Sequence, residues 1–218
     1  LAGPATGSLK WFAALNSFLR SQPHLRAVTL HRYPLQQCFI KPQWPQFPTF
    51  SHLLSANASR GLAATVQSAV QTAHARHVPV RIDEMNTNGC GSIPRVTMSF
   101  ASALWALDAT TAMANVGVDG VNMHTYPGSS YELFTFHRWH GRWYGHVNPE
   151  YYGLLMFALA APPGSQPLRV SGAATSDLSV WATAGPDHHT RLLLINVDPH
   201  QSRTCLLYTS PSPRDRQK

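Results

Sequence analysis

The sequence predicts an α/β fold: a parallel β/α half-barrel over residues 1–163, then the first strands of a β-sandwich over residues 164–204. Residues 1–161 alternate helical and strand patterns at the spacing of a βα unit. From Gln166 onward the rhythm changes to strands separated by turns, with no helices between them. The strands of the first part also end in polar, chemically capable residues, as barrel strands do at their C-terminal mouths. An open doubly wound sheet is the structural alternative. It usually carries a glycine-rich phosphate turn after an early strand, and "NGCGS" lacks that spacing.

The elements follow in order. "LKWFAALNSFLRS" puts Leu9, Phe12, Leu15 and Leu19 on one helical face, with Ser8 as candidate N-cap and Pro23 beyond the end. Ala27 to Tyr33 is short, apolar and β-branched, and Pro34 stops it. Residues 35–50 form a Pro- and aromatic-rich loop, too long for a simple connection. Gly61 to His77 reads as a helix with Val66, Ala69, Val70 and Ala73 on its buried stripe, and Val78 to Glu84 as a second strand. After a Gly/Asn/Ser loop, "RVTMSFASALWALDATTAMANVG" reads as one long helix ending at Gly117. "VDGVNMHTYPG" holds a third strand ending near His124, and Asn148-Pro149 starts a further helix that Pro162-Pro163-Gly164 ends. "PLRVSGAA", "LSVWATAG" and "TRLLLINVDP" are the strands of the second part.

Composition narrows the function classes. The chain is 44% hydrophobic and 10% aromatic, as a globular protein is. No apolar run reaches the length of a membrane span. Residues 1–20 lack the basic start and small-residue cleavage site of a signal peptide, and the chain opens without Met, so the natural N-terminus is expected upstream. "CLLYTSPSPRDRQK", Cys205 to Lys218, resembles translated sequencing adapter and is expected to lie outside the fold. That tail carries three cations and one acid of the formal +7, leaving a mild +5 with no Lys/Arg block. Nucleic-acid binding needs a basic stripe or a recognised module, and neither is present. A moderate positive charge suits an anionic substrate.

The chemistry gathers at strand ends. His31 and Tyr33 close the first strand, Asp83, Glu84 and Asn86 the second, and Asn122, His124 and Tyr126 the third. Strand alternation puts Ile82 and Glu84 on one face and Asp83 on the other. If Glu84 faces the mouth, Asp83 is structural, pairing with Arg81 or capping a neighbour. His31 and His124 lack the close His/Cys/Asp clustering of a zinc site, so they read as substrate or supporting residues, with no metal. His188-His189 reads as solvated, and Tyr151-Tyr152 as core.

Taken together, "GPA" (Gly3–Ala5), "VTLHRYPL" (Val28–Leu35), "RIDEMNTNGCGS" (Arg81–Ser92), "FASALWALD" (Phe100–Asp108), "GVDGVNMHTYPG" (Gly117–Gly128) and "YYGLLMFA" (Tyr151–Ala158) resemble glycoside hydrolase family 79. This is the β-glucuronidase and heparanase-related family of retaining glycosidases, a (β/α)8 TIM barrel with an appended β-sandwich. The resemblance is stronger to its microbial and fungal β-glucuronidases than to the animal heparanases. It implies a chain running from strand 5 to helix 8, then into the sandwich. It makes Glu84 the nucleophile at the end of strand 7. The family's acid/base follows an Asn at the end of strand 4, and this chain holds no Asn-Glu dipeptide. Of the nearby acids, Asp108 lies in a helix, Asp119 precedes a strand and Glu132 sits in the loop after strand 8. The acid/base is therefore expected upstream, and this stretch alone is expected to be inactive.

Further roles implied are a sugar subsite lined by His31, Tyr33, Asn86, His124, Tyr126 and Tyr131. Tyr131, with Ser130 beside it, is the better match for holding a glucuronate carboxylate, and Tyr126 competes with it. Cys38 and Cys90 fall in neighbouring loops after strands 6 and 7, where a disulfide would suit a secreted enzyme. "NAS" at Asn57–Ser59 fits an N-glycosylation acceptor. The partner implied is a glucuronic-acid-containing glycan or glycoside, and no cofactor is implied. The nearest alternative is a heparanase-like endo-glucuronidase or another β-glycosidase of the clan. The alternative class is an inactive carbohydrate- or polyanion-binding protein, which the +5 charge and the aromatic loop Phe39–Phe50 would serve.

Overall fold

Four strands form one parallel sheet in the order β1-β2-β3-β4 in the computed structural model, which describes residues 1–91, 93–172 and 175–206. They are β1 (Ala2–Thr6), β2 (Ala27–Arg32), β3 (Val80–Met85) and β4 (Gly120–Met123). Val28, Leu30, Val80 and Ile82 are fully buried in the main core, with the helices that connect the strands. Each such aliphatic contributes roughly 1.5–3 kcal/mol on burial. β1 has no apolar run to announce it. Parallel pairing to β2 and the Ala5 amide, which donates to Thr29 Oγ1 at 3.1 Å, hold it in place.

The stretch from Leu9 begins as a 3-10 helix (Leu9–Ala14) and becomes α1 (Leu15–Ser21). Leu15 and Leu19 are buried and Phe12 packs on the core, but Leu9 is half-exposed, and the Ser8 side chain makes no cap. The long loop after β2 leads into a short helix, α2 (Phe50–Leu53), and a 3-10 turn, Ala56–Ala58. The helix expected over Gly61–His77 is two, α3 (Arg60–Ala64) and α4 (Gln67–His74). At the break, Thr65 Oγ1 donates to the Leu62 carbonyl, a local bond that competes with helix continuation. The expected buried stripe, Val66, Ala69, Val70 and Ala73, is buried as a set.

The single helix expected after β3 is also divided, into α5 (Pro94–Thr97) and α6 (Phe100–Asn115). Gly117, at φ +90°, lets the Val118 amide reach back to the Met113 carbonyl at 3.0 Å and close α6. α6 is buried almost all round, as a helix packed on several sides must be. One of its neighbours is α7 (Pro149–Ala160), which approaches so closely that any side chain at Gly153 would meet the Ala103 carbonyl.

Two further sheets are antiparallel. β5 (Phe134–Trp139) and β6 (Arg142–Val147) form a hairpin that sequence patterning misses. Its two-residue turn, His140-Gly141, has positive φ at both positions (46° and 75°), the geometry of a primed turn. β7 (Gln166–Leu168), β8 (Leu178–Ala184) and β9 (Thr190–Asn196) make a three-stranded sheet in that order. It is anchored to α6 by the Trp181 indole, which donates to Asp108 Oδ1 at 2.7 Å, and to α7 by Thr183 Oγ1, which donates to the Ala160 carbonyl. Arg60 adds a bond to Ser179 Oγ at 3.0 Å, with its guanidinium 5.8 Å from the Trp181 ring centre. Of the tail set apart on sequence grounds, only Cys205 and Leu206 lie within the described residues.

Candidate active site

Glu84 sits where the β3 ladder skips a residue. Leu30 pairs with Ile82 and His31 with Glu84, leaving Asp83 without a partner on β2. The irregularity re-aims the chain, as a bulge does. Ile82 and Met85 both go to the core, and Glu84 does not share Ile82's face, contrary to simple alternation. Glu84 points instead to the strand-end mouth, with its side chain about a third exposed.

Two imidazoles hold its carboxylate. His31 Nδ1 lies 2.8 Å from Oε2, and His124 Nε2 lies 3.4 Å from Oε1. The Tyr131 hydroxyl is 3.1 Å from His124 Nδ1. A His124 ring that donates from Nε2 to Glu84 and accepts at Nδ1 from Tyr131 satisfies both contacts. The rings of Tyr33, Tyr126 and Tyr131 surround His124, with centres 6.3, 5.8 and 5.8 Å away. Burial, then the Glu84 charge, push the Tyr33 hydroxyl far above its ordinary pKa. Burial, then Tyr126, push Tyr131 up too. Both phenols therefore remain neutral hydrogen-bond donors beside the carboxylate.

Asp83 is approached by the far side of His31, Nε2 to Oδ1 at 3.5 Å, and makes no pair with Arg81, which bonds Asn122 instead. The other acids expected to be off the site have structural work. Asp119 Oδ2 accepts from the Val80 amide at 2.7 Å and pairs with His74 at 2.8 Å. Glu132 accepts from the Gly128 amide at 2.6 Å and from Thr135 Oγ1 at 2.8 Å, bracing the loop that carries Tyr131. Asn86, expected at the sugar subsite, is fully buried. Its amide donates to the His124 carbonyl at 2.9 Å and its oxygen accepts from the Thr87 amide, so it sets the end of β4 from behind.

Behind Tyr33 the two mouth loops are fastened together. A disulfide joins Cys38 to Cys90, the Gln37 amide donates to the Cys90 carbonyl at 2.8 Å, and the Gly89 amide donates to Leu35 at 2.9 Å. Gly89 lies flat against the Tyr33 ring, where a Cβ would come within 2.9 Å of it. A cleft of about 710 Å³ opens between this loop and the loop after β4, bordered by Tyr126 and Tyr131.

Sequence reasoning passed over Glu150. At the first turn of α7 it reads as an ordinary acid favoured by the helix dipole. It is 2% exposed, and neither carboxyl oxygen makes a well-formed hydrogen bond. Burial raises its pKa well above the ordinary 4.5, and the neighbouring Asn86 amide offsets only part of that. The folded state thus keeps a proton that the unfolded chain releases above pH 4.5. Its stability contribution is complete below that pH and is lost as pH rises toward the raised folded value. Glu150→Gln is expected to flatten this dependence: its thermal midpoint should exceed that of the parent at pH 7 and converge with it near pH 4. A parallel shift at all pH values would show that Glu150 is not held neutral.

No protein-family profile and no curated protein matches the chain. Solved structures are similar to it in fold. A 4-O-α-L-rhamnosyl-β-D-glucuronidase from Fusarium oxysporum matches over 93% of this chain and 41% of its own, with TM-score 0.66 and 18% identity. The GH51 arabinofuranosidase from Xanthomonas axonopodis pv. citri matches over 90% of this chain and 43% of its own, with TM-score 0.61 and 15% identity. The GH39 enzyme of the same bacterium matches over 83% and 35%, with TM-score 0.54 and 19% identity. The chain therefore has the fold of part of a TIM-barrel glycoside hydrolase and spans less than half the length of these proteins.

Proposed function

We propose that this chain is the C-terminal half of a (β/α)8 barrel, with the first strands of a β-sandwich, from a retaining glycoside hydrolase that removes terminal β-linked glucuronic acid. The observation that carries the reading is Glu84, turned into the mouth of a glycosidase-type sheet and held between two imidazoles. His31 engages Oε2 closely, which leaves Oε1 the freer oxygen for attack.

In the first step Glu84 Oε1 bonds to the anomeric carbon as the bond to the leaving oxygen breaks. A carboxylic acid about 5–5.5 Å away, carried by the barrel strands that precede this stretch, protonates that oxygen. The product is a glycosyl ester of Glu84. In the second step the same acid/base takes a proton from water, which attacks the anomeric carbon and releases Glu84 as carboxylate. A neutral Tyr131 hydroxyl that turns its one proton from His124 Nδ1 to the substrate suits a sugar carboxylate, since hydrogen bonds to an ionised acceptor are stronger than neutral ones. The disulfide and a glycan substrate support a secreted or extracytoplasmic location. On this reading the stretch alone, without the acid/base, is inactive.

Full-length protein should hydrolyse a chromogenic aryl β-glucuronide and discriminate strongly against the matching β-glucoside, because a site built for a carboxylate leaves its donors unpaired when that group is missing. Preference for the glucoside would overturn the substrate assignment while leaving the nucleophile in place.

A further inference from the structure

We propose that the β5–β6 hairpin is a docking surface for a carboxylated polysaccharide, the polymer from which the Glu84 site would take its terminal sugar; this rests on the glycosidase reading above. The hairpin stands on the loop that carries Tyr131. The Asn148 amide donates to the Leu133 carbonyl at 3.0 Å, the Asn148 side chain donates to the Glu132 carbonyl at 2.8 Å, and Glu132 itself holds Thr135 on β5. The hairpin is thereby continuous with the loop that borders the mouth.

Its composition fits that ligand. From Leu133 to Pro149 there is no Asp or Glu, while Arg138, Arg142, His137, His140 and His146 all lie there and are exposed. Cross-strand register puts Phe136 opposite Gly145 and Arg138 opposite Trp143, so these four share one face. Phe136 is 59% and Trp143 71% exposed. The other face pairs His137 with Tyr144, their rings stacked at 5.5 Å, and Trp139 with Arg142. Large exposed aromatics gathered in this way mark an interaction surface. Flat rings cover the C–H faces of pyranose rings, and an interleaved guanidinium takes a carboxylate in bidentate fashion. Alternating rings and cations match a polymer that alternates sugar faces with negative charges.

The test uses full-length protein carrying Glu84→Gln so that polymer is not consumed. Calorimetric titration with hyaluronan and polygalacturonate oligosaccharides is compared with titration by dextran of equal length. Binding of the acidic oligosaccharides, with dextran at least about tenfold weaker, is expected. Trp143→Ala and Arg138→Ala should each raise Kd about tenfold or more, as truncated Trp and Arg anchors do. Placed in the unsubstituted protein, both should leave hydrolysis of a short aryl β-glucuronide and the thermal midpoint unchanged. Failure to bind either acidic polymer, unchanged affinity in both variants, or tighter binding to a single-stranded oligonucleotide would overturn the proposal. So would a Trp143 indole shielded from a soluble quencher by the rest of the protein or by a second copy. Acidic-polymer binding lost in the variants, in a protein that hydrolyses no glucuronide, would sink the catalytic reading and leave this one standing.

Discussion

Glu84→Gln in the full-length protein is expected to lower turnover of an aryl β-glucuronide by about four orders of magnitude or more, the scale seen when a covalent catalytic group is removed. The change keeps the shape of the side chain but removes the proposed nucleophile, so on that proposal no glycosyl ester can form at residue 84. Its structural consequences are small. The new carbonyl can still accept from His31, which approaches Oε2 at 2.8 Å. The new amide faces His124 Nε2, 3.4 Å from Oε1, and must be accommodated by a change of His124 tautomer that also re-pairs Tyr131. The replacement is isosteric and its side chain is about a third exposed, so the change in stability is expected to be small. A large loss of activity with a near-parental thermal midpoint is therefore the expected pair of results. Retained glycan binding without any dependence of function on Glu84 would favour the non-catalytic class.

The second large effect is on stability. Replacing Cys38 and Cys90 by Ser opens a link between residues 52 apart in the chain. In the chain-entropy account, a loop of that length is worth about 4 kcal/mol, and measured losses run roughly 2–4 kcal/mol. The loss should be localised. The bridge holds the loop after β2 to the loop after β3, and Gly89 in the second of these supports the Tyr33 ring. Denaturant midpoints of the double Ser variant should fall accordingly, and reducing agent should lower the parental protein to the same value. A loss under about 0.5 kcal/mol would mean that the loop hydrogen bonds alone hold the two loops.

Much of the fold was legible from pattern. β2, β3 and the buried stripe of α4 follow directly from short β-branched runs and helical spacing. β1 was not, because its Gly-Pro-rich pentapeptide has neither alternation nor an apolar run, and it is defined by its neighbour β2. The hairpin was missed because its turn is His-Gly rather than Asn-Gly, and because both strands are aromatic on both faces and show no hydrophobic alternation. The candidate site was legible as a set of strand-end residues but not in its geometry. Glu84, His31, His124 and Tyr131 could be named from strand ends and resemblance, yet the skipped partner at Asp83 that aims Glu84 is a register effect, which no single strand reveals. Glu150 was hidden for a related reason: its neighbours Asn86 and Tyr131 come from the loops after β3 and β4, and a helix-start acid gives no sign of them.

Covalent capture of the nucleophile tests the central claim most directly. Full-length protein would be incubated with a 2-deoxy-2-fluoro-β-glucuronyl fluoride, digested and read by mass spectrometry. Fluorine at C2 slows both steps through the oxocarbenium-like transition state, while the reactive fluoride leaving group keeps the first step fast enough for the glycosyl ester to accumulate. The account predicts a single sugar adduct on the peptide containing Glu84, absent in Glu84→Gln. An adduct on any other carboxylate, or none in a protein that turns over aryl β-glucuronide, would contradict it.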